Sequence, residues 1–178
     1  MESLITEYTV VPIKWDRAYQ TEIEAIYNIY DEQRNKILDL TCQDSGVTLG
    51  NYLEDLIRST NVFVVLNNDN NICGVFSLGD MWKYKGQVIT CKVHAIIPKQ
   101  FWGKQSREIM KYFKDYAVLN FNIRKFIATV PQCGYGIIKL LKDLGFQHEG
   151  TMKENLVYLD KNNNPKLYDE LVYGLIIK

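Results

Sequence analysis

A glycine and a lysine stand directly before a predicted helix in the stretch QFWGKQSREIMKYF, residues 100–113. The helix is predicted over 106–119 because its apolar residues recur at helical spacing, and Ser106 is the expected N-cap. Gly103 and Lys104 then fall in the turn between a strand and the helix N-terminus. Backbone N–H groups in such a turn, together with the helix dipole, can bind a pyrophosphate group. The alternative is the start of an ordinary amphipathic helix.

The second candidate for chemistry is His94, in the predicted strand TCKVHAIIP. An imidazole with its reference pKa of about 6.5 suits proton abstraction near neutral pH. Alternation along a strand places Lys92 on the same face as His94 and Cys91 on the opposite face. A nearby ammonium lowers the pKa of a histidine, which favours the neutral form that a base requires. The competing interpretation is a hydrogen-bonded histidine under the sheet.

The four cysteines, at positions 42, 73, 91 and 133, predict neither a disulfide framework nor a metal site. In a chain of this size they are typical of reduced, mostly buried thiols. Cys91 and His94 have a metal-like spacing, but on one strand they would point to opposite faces, so we expect no zinc. A nucleophilic pair of Cys133 with His94 is a weaker possibility than an ordinary buried thiol, since no acid stands nearby to orient the histidine.

The composition is that of a soluble globular protein, with 47% apolar and 24% charged residues. The formal net charge is zero, which argues against nucleic acid or an anionic membrane as the main partner. The sequence has no apolar run that could span a bilayer, and MESLITEYTV does not have the pattern of a signal peptide. We therefore expect a cytoplasmic protein that folds as a single domain over residues 1–178.

The elements that would position these residues form a mixed pattern of strands and helices. Strands are predicted over 7–13, in NVFVVLNN and NICGVFSLG, over 87–97 and 125–131, and in NLVYLD and LYDELVYGLII. Helices are predicted over 18–34, 49–59 and 106–119 and in GYGIIKLLKDLGF, where Gly145 is the expected C-cap. The segment from 87 to 131 is a strand–helix–strand unit, so its two strands should be parallel neighbours. The fold class is therefore mixed α/β.

This element order resembles the GNAT superfamily of N-acetyltransferases over nearly the whole chain, most specifically from about residue 87. The pyrophosphate signature of that family, Q/R-x-x-G-x-G/A, corresponds to QFWGKQ at 100–105, which has its glutamine and first glycine. The Trp-Gly-Lys core and LLKDLGFQHEG at 140–150 are similar to the branch that acetylates ribosomal-protein N-termini. VHAIIP followed by a basic loop is similar to GNAT-like proteins carried by bacteriophages.

The resemblance implies a central sheet of about seven strands, with a V-shaped splay between strands 4 and 5 and helices on both faces. It implies acetyl-CoA as co-substrate, no metal, and an unidentified amine as acceptor. In such a site His94 would be the base and Tyr135 a proton donor to the leaving thiolate, although Tyr135 could instead pack between its two glycines. The residues implied to bind the cofactor are Ile96, Ile97, Trp102, Gly103, Lys104, Gln105, Ser106 and Arg107.

Within that set the expected roles differ. Backbone N–H groups near Ile96 and Ile97 would hold the thioester carbonyl oxygen, and Lys104 and Arg107 would neutralise phosphate. Trp82, Tyr84 and Trp102 could line an acceptor pocket or belong to the core.

Four positions, in three parts of the pattern, depart from the family. Gln105 replaces the second glycine of the signature and is expected to crowd the phosphate. Gly134 and Ile137 stand where the branch has Asn and Ser, and Leu141 stands where many members have a tyrosine acid. We expect an acetyltransferase acting on a protein N-terminus, a side chain or a small amine. The alternative is an inactive binding or structural module, for example a phage virion or assembly protein, which could reside in the virion and assemble with partners or as a homodimer.

Overall fold

Seven strands form one mixed sheet, in the order β1-β2-β3-β4-β5-β7-β6, in a computed structural model that describes residues 8–32, 48–159, 162 and 164–177. The strands are β1 (Thr9–Ile13), β2 (Asn61–Leu66), β3 (Ile72–Tyr84), β4 (Gln87–Ile96), β5 (Lys125–Pro131), β6 (Gln147–Leu159) and β7 (Pro165–Ile176). The helices of the described residues are α1 (Gln20–Asp31), α2 (Leu49–Ser59), α3 (Lys104–Phe121) and α4 (Tyr135–Asp143). Short 3₁₀ turns span Arg17–Tyr19 and Lys99–Phe101.

The strands β4 and β5 are parallel, as the strand–helix–strand spacing predicted, and the other neighbouring pairs are antiparallel. Their ladder ends early, with the pairs Cys91↔Phe126 and Lys92↔Ile127. Beyond that point β4 is paired with β3 alone, and β5 is paired with β7 alone. The carboxyl ends of the two parallel strands therefore diverge, which confirms the predicted splay.

Helices cover both faces of the sheet, and the alternation of β2 shows it most directly. Phe63 and Val65 belong to the cluster of buried residues that contains Ile109 and Phe113 of α3. Val62 belongs to a second cluster, which contains Ile26, Leu49 and Leu53 of α1 and α2 together with Val64 of the same strand. Because side chains alternate along a strand, each cluster fills one side of the sheet. The predicted mixed α/β fold with helices on both faces is confirmed.

The helices form where the apolar periodicity predicted them, with shifted boundaries. The helix α3 buries Ile109, Met110, Phe113 and Ala117, and it runs from 104 to 121 instead of 106 to 119. The helix α4 ends before Gly145, where the Phe146 N–H donates to the Leu141 carbonyl at 3.0 Å, as expected for a C-terminal glycine motif. Residues 33 and 34 of the first predicted helix lie outside the described residues.

The sixth strand is longer than predicted. It starts at Gln147, eight residues before the predicted NLVYLD segment at 155–160, and its pairing with β7 is interrupted twice. These interruptions, at 148–150 and 152–156, break the alternation that marks a strand in sequence. In the described part of the chain, no helix is both long and apolar enough to cross a membrane.

Candidate active site

Beyond Lys92 of β4 and Ile127 of β5, the facing edges of the two strands are unpaired, and the space between them is the gap. From Val93 to Ile96, β4 keeps its register with β3, for example His94↔Ser77, but has no partner on β5. In a strand paired on one side only, every second residue turns its backbone N–H and C=O groups to the unpaired side. The gap therefore offers donors and acceptors along an edge of β4, which is the arrangement that binds an extended amide-containing chain.

Two hydrogen bonds hold the loop that follows β4. The indole Nε1 of Trp102 donates to the Ile97 carbonyl oxygen at 2.8 Å. The Phe101 N–H donates to the Pro98 carbonyl at 2.9 Å, which closes the short 3₁₀ turn. These two bonds hold the segment between the strand and α3 in one conformation, so Gly103 follows the gap at a defined position.

The helix α3 begins at Lys104, and its N-cap is Gly103 without a side-chain capping bond. The prediction that Ser106 is the N-cap is wrong, because the helix starts two residues earlier. Ser106 is buried in the first turn, and its hydroxyl donates to the Gly103 carbonyl at 2.8 Å. No side-chain acceptor within the described residues therefore caps the N–H groups of this turn, which suits them to an external anion.

Gly103 has φ 89° and ψ −126°, a conformation that residues with a side chain rarely adopt. A Cβ atom added at this position would meet no heavy atom of the described residues within 4 Å, so the space in front of it is open. The side chain of Gln105 is exposed and makes no hydrogen bond to a described residue. Its side chain is thus not fixed over the helix start, and the expected crowding by Gln105 stays a prediction.

The two cations predicted to bind phosphate, Lys104 and Arg107, differ in their surroundings. The Lys104 Nζ lies 3.8 Å from Glu108 Oε1, and its side chain is almost fully exposed. Such an exposed ion pair contributes little to stability, so Lys104 can pair with another anion in place of Glu108. Arg107 instead forms an ion pair with Asp143, which links the first turn of α3 to the last turn of α4. Lys104 is therefore the more available of the two cations.

His94 lies on the face of β4 that its alternation with Lys92 predicted. Cys91 and Val93 belong to the core under α3, whereas Ile96 belongs to the core under α1 and α2. The side chain of His94 has an exposed surface because the gap is open, and it makes no hydrogen bond to a described residue. The interpretation of His94 as a hydrogen-bonded histidine under the sheet is therefore not supported.

The electrostatic surroundings of His94 favour its neutral form. Part of His94 is exposed, but many protein atoms surround the imidazole, and this partial desolvation is the main cause that lowers its pKa. The Lys92 ammonium lowers the pKa further, and the carboxylate of Glu170 acts in the opposite direction. With a pKa below the usual 6.5, the imidazole is predominantly neutral at pH 7 and can accept a proton.

Tyr135 is the first residue of α4 and stands on the far side of the gap, after β5. Its side chain is 79% exposed, so it does not pack between its two glycines. Ile137 is half-exposed on the same helix, and Leu141 is buried in the core under α3 and α4. Of the three, only Tyr135 has a polar side chain, and that side chain is exposed.

Several other candidates lie elsewhere or are chemically inert. Trp82 and Tyr84 are exposed near the tip of the β3–β4 hairpin, at the end of the sheet opposite to the gap, so they do not line it. Cys91 is buried, and burial raises the pKa of its thiol to about 12. Cys133 is exposed and has no hydrogen bond to His94. The described residues contain no group of three or more His, Cys, Asp and Glu side chains that could hold a metal ion.

Glu170 was missed as a candidate by reasoning from the sequence. It stands on β7 opposite Pro131, the last residue of β5, and its Oε2 accepts from Asn155 Nδ2 at 2.6 Å. This position depends on the register of β7 against β5, and no local pattern in LYDELVYGLII reveals that register.

A groove of about 640 Å³ lies at the other end of the sheet, where β1 ends, β2 begins and α3 ends. Its lining includes Lys14, Trp15, Arg58 and Tyr116. It shares no residue with the gap, and the chemistry-bearing side chains described above do not reach it.

Known proteins of similar sequence or structure indicate the family of this chain. The chain matches the model of the Acetyltransferase (GNAT) domain over residues 16–172. No curated protein sequence matches it. The structure is similar to that of spermidine N-acetyltransferase from Vibrio cholerae in complex with CoA and spermine, with 17% identity, a TM-score of 0.71, and 95% of each chain covered.

Two further solved structures show the same fold. The ribosomal-protein-S5-alanine acetyltransferase from Vibrio fischeri is 18% identical, with a TM-score of 0.67, covering 97% of this chain and 96% of that one. A protein from Salmonella typhimurium, solved with its cofactor acetyl-CoA, is 19% identical, with a TM-score of 0.67, covering 97% of this chain and 95% of that one. At these identities the likeness establishes the fold. Because the domain model spans residues 16–172 of the 178, the chain belongs to the GNAT acetyltransferase family.

Proposed function

We propose that the protein transfers the acetyl group of acetyl-CoA to an amine. The observation that carries this proposal is the early end of the β4–β5 ladder at Lys92, followed along the chain by the uncapped N-terminus of α3. The unpaired edge of β4 and the uncapped N-terminus of α3 thus follow one another along the chain, at one end of the sheet. Two of the structurally similar proteins were solved with CoA or acetyl-CoA, which supports the same ligand here.

The residues of the gap fit such a ligand. The open space before Gly103 admits a phosphate, and the N–H groups of Gly103, Lys104, Gln105 and Ser106 would hold its oxygens. Lys104 would add a positive charge, and Arg107 would do so if it exchanged Asp143 for phosphate. The edge of β4 that β5 leaves unpaired, up to Ile96, would bind the amide-containing arm together with Ile97, and Trp102 would remain fixed beside it.

When bound, acetyl-CoA supplies an acetyl thioester, and the residues of the chain manage the protons. His94, neutral at pH 7, accepts a proton from the amine, so that the nitrogen lone pair can form the new N–C bond. As that bond formed, the C–S bond would break and Tyr135 would donate a proton to the departing sulfur. The nitrogen would lose its second proton to the Tyr135 phenolate, which restores the tyrosine. A backbone N–H near Ile96 or Ile97 stabilises the carbonyl oxygen as its negative charge develops.

Three family positions lack their usual polar groups, since Gly134, Ile137 and Leu141 stand there. The proposed mechanism uses none of them, because Leu141 is buried in the core and backbone groups do not depend on side-chain identity. The relatives named above as acetyltransferases give no support to the alternative of an inactive module. The acceptor would be a protein N-terminus, a side chain or a small amine. A cytoplasmic location, and a homodimeric or virion partner, are proposals from the sequence alone.

The experiment that tests this function combines binding and turnover. A ligand that binds only the folded state raises the melting temperature by mass action, so acetyl-CoA should stabilise the protein in a dose-dependent way. Release of free thiol, and an acetylated product found by mass spectrometry, should follow when a mixed panel of amines is added. If acetyl-CoA at millimolar concentration left the melting temperature unchanged and no amine gained an acetyl group, the proposal would be wrong.

A further inference from the structure

The register of the sheet places Glu170 on the same face as His94. The pairs Ala128↔Tyr173 and Val130↔Leu171 lie on the face covered by α3 and α4, since all four residues belong to that core or pack against it. Paired residues share a face, and neighbours along a strand alternate, so Glu170 and its partner Pro131 lie on the opposite face.

The same reasoning applies to β4, where Cys91 and Phe126 pair in the core under α3, and Lys92 and Ile127 pair on the other face. His94 follows Lys92 by two residues and therefore shares the face of Glu170.

Glu170 also lies further towards the open end of the gap than His94. His94 stands two residues beyond Lys92, whereas Pro131, the partner of Glu170, stands four residues beyond Ile127. Two residues of strand correspond to about 7 Å, so an extended molecule on this face could meet both side chains. The two groups are near enough that the Glu170 carboxylate raises the pKa of His94.

The carboxylate of Glu170 is held in place but has no cation beside it in the described residues. Asn155 Nδ2 donates to its Oε2 at 2.6 Å from the interrupted segment of β6 between 152 and 156. The side chain is partly exposed. Its acidic neighbours are neutralised differently, because Asp169 pairs with Lys153 at 2.7 Å and Glu149 pairs with Lys125 at 2.8 Å. Glu170 therefore stands as a positioned negative charge on the face of the base.

A carboxylate in this position is unsuited to the reacting nitrogen itself. That nitrogen must lose a proton to His94, and a negative charge beside an ammonium opposes the loss, whereas the positive charge of Lys92 favours it. A second nitrogen that stays charged throughout the reaction gains from the same carboxylate without any such conflict. The two charged residues thus suit two different parts of one acceptor.

We propose that Glu170, positioned by Asn155, binds a second positively charged group of the acceptor, so that the acceptor is an amine of the diamine class and not a simple monoamine. This inference rests on the proposed acetyl transfer for the identity of the molecule that occupies the face. Glu170 would then determine specificity without taking part in the bond changes, and its loss should affect KM for charged acceptors more than kcat.

The test uses cadaverine and pentylamine, which differ by one terminal ammonium, and follows the ring signals of the two histidines by NMR. His148 serves as an internal control, since its ring lies 5.4 Å from that of Tyr173, a residue of the core under α3 and α4. Cadaverine should shift the His94 signal and bind at least tenfold more weakly to Glu170→Gln than to the original protein. The control variant Glu149→Gln removes a carboxylate already paired with Lys125, and it should bind cadaverine normally.

Equal cadaverine affinity in the original protein and in Glu170→Gln would overturn the inference. So would a preference for pentylamine, or equal losses in Glu170→Gln and Glu149→Gln. The binding measurement needs no turnover. It therefore tests the role of Glu170 even if acetyl-CoA does not bind and the proposed function is wrong. In turnover, the matching result is a KM for cadaverine raised at least tenfold in Glu170→Gln, a larger change than that in kcat, whereas Glu149→Gln keeps the original KM.

Discussion

His94 is the first side chain on its face of β4 beyond Lys92, and Lys92 is the last residue of that strand paired with β5. The point at which the parallel strands separate is therefore also the point at which a candidate base becomes accessible. Burial lowers the pKa of His94, and the ammonium of Lys92 lowers it further. The base thus becomes accessible in surroundings that favour its neutral form.

This charge arrangement predicts the pH dependence of catalysis. Because burial and Lys92 lower the pKa of His94, the acid limb of kcat/KM should have its midpoint below pH 6.5. Lys92→Met should move that midpoint up, and Glu170→Gln should move it down, since the two side chains act in opposite directions. The pH profile of kcat/KM for each variant, with the NMR titration of His94, measures this. Shifts of the same sign in both variants would contradict the electrostatic assignment.

Replacing the base should affect chemistry and leave binding intact. His94→Gln should lower kcat by roughly a hundredfold or more, the usual contribution of general base catalysis, with little change in the affinity for acetyl-CoA. The melting temperature should change little, because the side chain lies in the open gap and makes no hydrogen bond to a described residue. His148→Gln is the matched control and should keep its turnover. A His94→Gln protein of native stability and full turnover would remove this residue from the mechanism.

The backbone conformation of Gly103 should be needed for acetyl-CoA binding as well as for the shape of the loop. Gly103→Ala forces a side chain into φ 89°, which costs about 1–3 kcal/mol, and it also places a methyl group in the open space where phosphate would lie. Gly86→Ala is a matched control, since Gly86 has φ 81° and an equally open surrounding but stands in the β3–β4 turn. Calorimetric titration with acetyl-CoA should show a large loss of affinity in Gly103→Ala alone. Equal affinities in the two variants would argue against the helix start as the phosphate site.

Restoring the family tyrosine should harm this protein. Leu141 is 3% exposed in the core under α3 and α4, so Leu141→Tyr adds volume and a hydroxyl to a filled space. Overpacking of this kind costs about 1–3 kcal/mol, and the melting temperature should fall without any gain in kcat. Ile137→Tyr, on the half-exposed surface of the same helix, should be tolerated. A stable Leu141→Tyr protein with faster turnover would show that the missing tyrosine limits catalysis.

The local patterns of the sequence were sufficient for most of the fold. The apolar spacing of Ile109, Met110 and Phe113 predicted α3, and the strand–helix–strand unit predicted a parallel pair because a crossover of that length leaves little choice. The alternation of Cys91, Lys92 and His94 also followed from strand geometry alone. Each of these inferences depends only on residues close together in the chain.

The errors concern boundaries and distant pairings. Ser106 is a good N-cap residue, and only the conformation of Gly103 shows that the helix begins earlier. Two irregular segments in β6 hide its first eight residues, since they break the alternation that marks a strand. Glu170 reaches the gap through the register of β7 against β5, a pairing of residues about forty apart in sequence that no local signal encodes. The expectation that Trp82 could line an acceptor pocket could have been corrected from the sequence. Trp82 lies near the β3–β4 hairpin turn, whereas the gap opens at the other end of β4.

We expect acetyl-CoA to bind in the gap between β4 and β5, and amide NMR during a titration with acetyl-CoA is the decisive measurement. Saturable shifts should be concentrated at residues 93–97 and 103–106, with little change along the groove formed by Lys14, Trp15 and Tyr116. Shifts centred on that groove, or no saturable shifts at millimolar acetyl-CoA, would contradict binding in the gap.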